Sequence, residues 1–369
     1  MNILVSCVPF ERGKSGISVY TSNVVRELSG LGHRLTLLVE PGMEEFFPEY
    51  PKIALPGWTA RPLFSMFYHL FILPFHLLLL RRRFDFCIIA AISRRALAFY
   101  PLFTVGVVHD LAWVHIAGKY DLMRTIYLAR LLPFFVRRAD RVVAISRSTA
   151  ADCEKYWHIP ANKMEVVYNG LSPVPPPSGH DWQPCRQSAR QHYLLYISRI
   201  EHPGKNHLNL IRAYEQLPDA LAEQYPLVLA GADWHGAETV HEYVRNSPRK
   251  ENIHFTGFLP TEELGTAYAG AAAYVFPSYF EGFGLSLIEA MAAGIPCCCS
   301  NNSSLGEIGS GAALLFDPAV PESIAAVLKQ ILTDQTARTE LIAAGKKRAA
   351  EFDWKKHAEK LVKIYENRH

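Results

Sequence analysis

The chain has 369 residues, 49% of them hydrophobic and 20% charged, a length that divides into two domains each able to bury its own core. This composition excludes a disordered, collagen-like or membrane-saturated protein. The net charge of +3 is unevenly held: up to Ser172 there are 20 Lys and Arg against 13 Asp and Glu, so the first half suits an anionic partner such as lipid head groups or pyrophosphate, and no nucleic-acid motif is present.

In chain order, NILVSCV from Asn2 reads as a strand, and the opening residues carry no basic segment or cleavage site of a signal peptide. SVYTSNVVRELSGLG from Ser18 has helical spacing and stops at Gly32, and RLTLLVE from Arg34 is the next strand. Pro62 to Leu80 then runs for 19 residues without a formal charge and closes on Arg81, Arg82 and Arg83. A membrane span, a buried helix and a helix lying at the bilayer interface all fit that length. Pro74 and two histidines weaken the span, and the aromatic, basic stretch from Leu131 to Arg141 favours the interface. FDFCIIAA, FTVGVVHD and RVVAIS repeat the strand pattern. Short apolar strands alternating with helices predict a parallel sheet covered on both faces.

The alternation breaks after VVYNG, which ends at Gly170, and SPVPPPSGHDWQPCRQSARQ reads as a linker. It restarts with YLLYIS from Tyr193, PLVLAG from Pro226, NIHFTGF from Asn252, AAYVFPS from Ala272, IPCCCS from Ile295 and AALLF from Ala312. The expected organisation is a first domain over 1–172, a linker over 173–191, a second domain over 192–352 and a last helix over 353–369. That helix is amphipathic from Trp354 and fits against either domain. Two doubly wound α/β domains place a ligand in the cleft between the carboxyl ends of their strands.

The strongest local signal is EGFGLSLIEA, from Glu281 to Ala290, between a strand and a helix. Glu281 and Glu289 stand eight apart, and Gly282 and Gly284 let a ligand approach the backbone. The amides of Phe283, Gly284, Leu285 and Ser286 fall at the helix start, an anion site for a diphosphate. Glu289 is placed to reach a pair of ribose hydroxyls. The plainer alternative is a strand-to-helix turn with an acidic residue favouring the helix dipole. In SRIEHPGKNH, from Ser198 to His207, Arg199 and Lys205 flank a Pro203-Gly204 turn. Two cations there would neutralise a diphosphate and stabilise charge growing on a leaving group; a solvated basic loop is the alternative.

Together these motifs resemble the family-four retaining glycosyltransferases of GT-B fold, the glycosyl transferases group 1. That family carries an E-x7-E motif, matched by Glu281 and Glu289, and an Arg and Lys after the first strand of its donor domain, matched by Arg199 and Lys205. The GFLP turn from Gly257 to Pro260, PSYFEGFGL and AAGIP match as well. The resemblance covers nearly the whole chain and implies two Rossmann-like domains facing across a cleft. In the first half it makes Gly16 of KSGISVYTSNVVREL a donor-phosphate contact, although the usual double glycine is Ser15-Gly16 here. It makes His109 of VVHDL a substrate contact near the reacting sugar, where a lone strand-end histidine is otherwise more often structural. In AISRST, Ser146 and Ser148 are candidates to cap a helix and Arg147 to line the acceptor side. Asn169-Gly170 matches a structural turn. Ser198 departs from the glycine that many relatives have before the Arg.

No HExxH, no Cys/His ligand spacing and no D-x-D occur, so no metal or other cofactor is expected. Of the seven cysteines, three are adjacent at Cys297 to Cys299 and none forms C-x-x-C, which fits a reducing compartment. The expected activity is retaining transfer of a hexose from a nucleotide-sugar to a lipid-linked or glycan acceptor at a membrane surface, in polysaccharide or lipopolysaccharide assembly. The expected place is the cytoplasm, at the inner face of the cytoplasmic membrane. The expected donor is GDP-mannose, with the nucleobase near Phe258. A UDP-hexose or UDP-N-acetylhexosamine donor is the alternative. A nucleotide-sugar epimerase and a silent sugar-nucleotide-binding protein are the rival readings, both disfavoured by the intact Arg199, Lys205, Glu281 and Glu289.

Overall fold

The computed structural model describes residues 1–13, 15–116, 122–177, 184 and 192–368. The chain divides into two compact units, Met1–Gly170 with Asp353–His369, and Leu171–Phe352. Of the stretch expected as a linker, residues 178–183 and 185–191, Cys185 among them, lie outside the described residues. Residues 171–177 run with the second unit, and a Cβ on Gly265 of that unit would meet the Pro175 carbonyl at 2.0 Å.

The first unit is built on seven strands: β1 Asn2–Ser6, β2 Arg34–Val39, β3 Lys52–Ala54, β4 Phe86–Ile89, β5 Thr104–Val108, β6 Arg141–Ala144 and β7 Met164–Val166. All pair in parallel in the order β3-β2-β1-β4-β5-β6-β7. The central strands are buried along their whole length, as near-continuous Val, Ile and Leu runs require when helices cover both faces. β3 and β7 have no counterpart in the sequence reading. Both are three-residue edge strands, too short to show a period and partly exposed.

The last helix, Trp354–Glu366, completes this unit. Asp353 caps it by accepting from the amides of Lys355 and Lys356. Its buried side packs on the helix Gly16–Gly30, and Tyr365 stacks on Phe86 with ring centroids 4.6 Å apart. The Asn169-Gly170 turn closes against it: a Cβ on Gly170 would lie 2.2 Å from the Trp354 nitrogen.

The apolar stretch after Arg61 is one bent helix in three parts, Pro62–Phe67, a π-turn Tyr68–Ile72, and Leu73–Leu80. The π-turn lets Leu73 N–H reach the Tyr68 carbonyl just before Pro74, so the proline is absorbed as a bulge rather than ending the helix. Tyr68, Leu73 and Leu77 sit in the core cluster with Leu4 of β1 and Cys87 of β4. A membrane span would have to withdraw that side from the sheet it covers, which sets the span reading aside.

The second unit has six parallel strands: β8 Tyr193–Ile197, β9 Leu227–Ala230, β10 Ile253–Gly257, β11 Ala271–Phe276, β12 Cys297–Ser300 and β13 Leu314–Phe316. Their order is β10-β9-β8-β11-β12-β13. In both units the strand order reverses beside the first strand, between β1 and β4 and between β8 and β11. The loops leaving those strands diverge there, and a crevice opens at their carboxyl ends.

Candidate active site

In the second unit the reversal brings the loop after β8 against the loop after β11. Asn206 holds the first in place. It adopts a left-handed conformation, and its side-chain amide donates to the carbonyls of Pro277 and Pro318 at 2.9 and 2.8 Å. The Tyr279 amide donates to the Gly204 carbonyl at 3.0 Å, and the Tyr196 hydroxyl donates to the Lys205 carbonyl at 3.0 Å. Lys205 Nζ then donates to Glu281 Oε1 at 2.6 Å, both side chains being mostly shielded from solvent. Ser303 and Ser304 fix the Glu281 turn. Ser303 Oγ accepts from the Glu281 amide, and Ser304 Oγ donates to the carbonyls of Glu281 and Phe283.

The turn ends at Gly284, which caps the helix Leu285–Ala292 with φ near +112°. A Cβ there would lie 2.8 Å from Leu305, so only glycine fits both the angle and the space. The amides of Leu285 and Ser286 are thereby left at the helix start with its positive dipole end. Tyr274 donates to Ser286 Oγ at 2.7 Å, which leaves the serine's own proton to donate. Tyr268 donates to Glu289 Oε2 at 3.0 Å and turns that carboxylate one helical turn beyond Ser286. Burial raises the pKa of Glu289 above the ordinary carboxylate value, partly offset by the Tyr268 hydrogen bond. Arg199, on the same loop as Lys205, lies with its guanidinium 4.6 Å from the centre of the Trp234 ring.

Arg199, Lys205, Glu281, Ser286 and Glu289 therefore all belong to the carboxyl-end loops at one switch point or to the helix leaving it. Phe258 follows β10 at the same sheet edge and is exposed. The Phe283 ring is core, edge-on to Phe352 at 5.5 Å, so only its backbone remains as a ligand contact. The Ser198 hydroxyl donates to the Arg199 carbonyl at 3.1 Å, which accommodates the departure from glycine. Cys297 to Cys299 form β12, and burial pushes all three thiols upward, away from reactivity.

In the first unit, Gly16, His109 and Arg147 also sit at the carboxyl ends of strands β1, β5 and β6. Gly16 is the first residue of its helix, capped by Ser15 Oγ, which accepts from the Ser18 amide at 3.2 Å. A Cβ on Gly16 would meet nothing within 4 Å, so the space beside its Cα is open. His109 is buried, and its Nε2 donates to the Ala90 carbonyl at 2.7 Å, which leaves Nδ1 as an acceptor. Burial lowers its pKa and keeps it neutral. Asp110 accepts from the Ala112 amide at 3.0 Å and so acts as a turn cap. Ser146 caps the helix Arg147–Trp157 by accepting from the Thr149 amide, and Thr149 Oγ1 reaches the His109 carbonyl at 3.4 Å. Arg147 is the first residue of that helix and is exposed. Among the described residues no three His, Cys, Asp or Glu side chains converge as a metal site.

Sequence reasoning passed over the residues behind these groups. Tyr268, Tyr274 and Trp234 carry no role in the sequence reading. Tyr20 lies edge-on to His109 at 4.8 Å and is joined to His357 of the last helix at 2.8 Å. A histidine on the apolar stripe of an amphipathic helix was the available signal for His357.

The family profile described as Glycosyl transferases group 1 matches residues 185–348, and that described as Glycosyltransferase Family 4 matches residues 14–173. The chain is 30% identical to the O-antigen chain mannosyltransferase B of Escherichia coli, over 70% of this chain and 68% of that protein. It is 32% identical to the serotype-specific mannosyltransferase WbdA of E. coli over 69% of this chain, and spans 32% of that longer protein. Among solved structures, sucrose-phosphate synthase from Thermosynechococcus elongatus superposes with a TM-score of 0.79 at 20% identity, covering 99% of this chain and 98% of that one. At that identity the likeness establishes the fold, GT-B.

Proposed function

This chain belongs to the group 1, family 4 glycosyltransferases, and on that premise we propose that it transfers mannose from GDP-mannose, with retention, to a membrane-associated glycan in polysaccharide or lipopolysaccharide assembly. The observation that carries the transferase chemistry is the Lys205–Glu281 pair. It holds a cation and a carboxylate 2.6 Å apart on the loops that precede the helix start at Leu285, whose end carries free amides. The mannosyl and O-antigen parts of the reading are supported by the relatives' described activities.

In this reading Arg199, Lys205 and the amides of Gly284, Leu285 and Ser286 take the diphosphate. Glu289 accepts the ribose hydroxyls, the nucleobase lies near Phe258, and Glu281 accepts from hydroxyls of the transferred sugar. The bond from the anomeric carbon to the diphosphate oxygen breaks with its electron pair going to the phosphate. The cations and the helix dipole stabilise that charge in place of a metal. The acceptor hydroxyl attacks from the face the diphosphate leaves, and its proton passes to the departing phosphate oxygen. His109, neutral and with Nδ1 accepting, and Arg147 serve the acceptor side, and Gly16 leaves room for donor phosphate.

The test is a panel of GDP- and UDP-sugars incubated with the full chain and a polyprenyl-diphosphate glycan in the presence of a chelator, with the product's anomeric configuration read by NMR. An α-mannosyl product from GDP-mannose alone supports the reading. Transfer from a UDP-sugar instead replaces the donor, and an inverted product overturns the mechanism.

A further inference from the structure

Two helices of the first unit carry the same unusual device. In the helix that begins at Pro62, Leu73 N–H bonds to the Tyr68 carbonyl five residues back, just ahead of Pro74. In the helix made of Leu122–Ile126, Tyr127–Leu131 and Leu132–Val136, Leu132 N–H bonds to the Tyr127 carbonyl just ahead of Pro133. Each helix is apolar on two sides. The inner sides, with Leu73 and Leu77 on one and Leu128 and Leu132 on the other, share one core cluster. The outer sides are open: Leu63, Leu79, Leu122 and Met123 are 75%, 83%, 74% and 78% exposed. Among the described residues of this unit, every exposed large apolar side chain except Phe46 lies between Trp58 and Leu79 or between Leu122 and Phe134.

The two helices are neighbours. The loop 97–100 bridges them: the Ala98 amide donates to the Leu70 carbonyl at 2.9 Å, and Phe99 packs edge-on against Phe75 at 5.1 Å. Tyr100 donates to the Phe135 carbonyl at 3.2 Å. The charge is of one kind. Arg61 and Arg81 to Arg83 flank the first helix, and Arg124, Arg130, Arg137 and Arg138 mark the second. Neither 57–83 nor 122–138 contains a single Asp, Glu or Lys.

We propose that this face docks on an anionic phospholipid surface, its aromatic and leucine side chains entering the acyl boundary while the arginines bind lipid phosphates. Exposed apolar side chains rimmed by cations are what an interfacial helix needs, and guanidinium binds phosphodiester oxygens through paired donors. A second copy of this chain fits the same face less well: a two-fold contact would set its arginines against one another, and neither 57–83 nor 122–138 supplies a carboxylate to pair with them. The docking gives the proposed transferase its membrane-borne acceptor and rests on that reading for its purpose, but not for its chemistry.

The full chain is sedimented with vesicles of phosphatidylcholine alone and with about a third phosphatidylglycerol. Binding is expected to the anionic vesicles only and to weaken with salt. The Arg81→Gln, Arg82→Gln, Arg83→Gln triple variant is expected to lose binding by roughly a hundredfold, at about fivefold per arginine. A Phe71→Ser, Leu79→Ser pair and a Leu131→Ser, Phe134→Ser pair, all at exposed positions, should each weaken it by more than about tenfold. GDP binding without vesicles should stay as in the wild type for every variant, which shows that the fold is intact and separates this test from that of the donor site. The proposal is overturned if the wild type stays in solution with anionic vesicles, if the variants bind as well as it does, or if light scattering finds a dimer that Leu79→Ser dissolves.

Discussion

The hydroxyl of Tyr20 and Nε2 of His357 lie 2.8 Å apart across 337 positions of sequence. His357 Nδ1 donates to the Tyr168 carbonyl at 2.9 Å, so the histidine ties the last helix to both ends of the first unit's chain. Tyr20 is in turn edge-on to His109. The candidate acceptor-side histidine is thus seated against a residue that the final helix holds.

Burial lowers the pKa of His357 to about 4, against about 6.5 in the unfolded chain. A histidine whose folded pKa lies below its unfolded value contributes its full stability above about pH 6.5, and that stability is lost as pH falls toward 4. His69 and His207, both lowered to about 3 by burial, have the same sign. We expect the thermal midpoint to drop between pH 7 and pH 4.5. His357→Gln should flatten part of the drop while costing about 1–2 kcal/mol at neutral pH. An equally steep profile in the variant would remove His357 from this account.

Glu289 carries the opposite sign. Its folded pKa is raised by burial, so it destabilises the fold once pH rises through its titration. Glu289→Gln should raise the unfolding midpoint at pH 8, with the gain vanishing near pH 4. Donor affinity should fall by about tenfold, the size of a lost charged hydrogen bond. Wild-type donor affinity should itself weaken as pH falls through the raised carboxyl pKa, as calorimetric titration at several pH values would record.

Gly284→Ala forces a side chain into a left-handed backbone and against Leu305. The cost should be about 1–3 kcal/mol, and the shifted amides should weaken donor binding more than tenfold. Gly30→Ala, where a Cβ meets nothing, is the matched control and should leave both quantities unchanged or slightly improve stability. Equal behaviour of the two variants would show that the turn geometry at Gly284 carries no function.

Trp234→Ala removes the ring beside the Arg199 guanidinium. A partly exposed cation–π contact is worth about 0.5–1 kcal/mol, so the donor dissociation constant should rise two- to fivefold with the unfolding midpoint little changed. An effect on stability instead of affinity would make Trp234 a packing residue.

Much of this was legible in the sequence where the signal is local. Glu281, Glu289, Arg199 and Lys205 each stand in a short motif at a strand end, and the alternation of strands and helices gave eleven of the strands and both sheets. The direct pairing of Lys205 with Glu281 follows only from strand order, which places β11 beside β8, and no local pattern states it. The destination of the last helix was open because an amphipathic stripe fits any apolar surface, and no local pattern gave Tyr20 a role. In the sequence Pro74 reads only as weakening a membrane span. The π-turn ahead of it supplies the room the ring needs, a device invisible to periodicity.

The central claim, that Lys205 and Glu281 form the donor site, is tested most directly by GDP release from GDP-mannose in the presence of a chelator, comparing wild type with Lys205→Ala and with Lys205→Arg. The account predicts slow release by wild type, a loss of about a hundredfold or more in Lys205→Ala, and partial recovery in Lys205→Arg. Release at the wild-type rate by Lys205→Ala would contradict it.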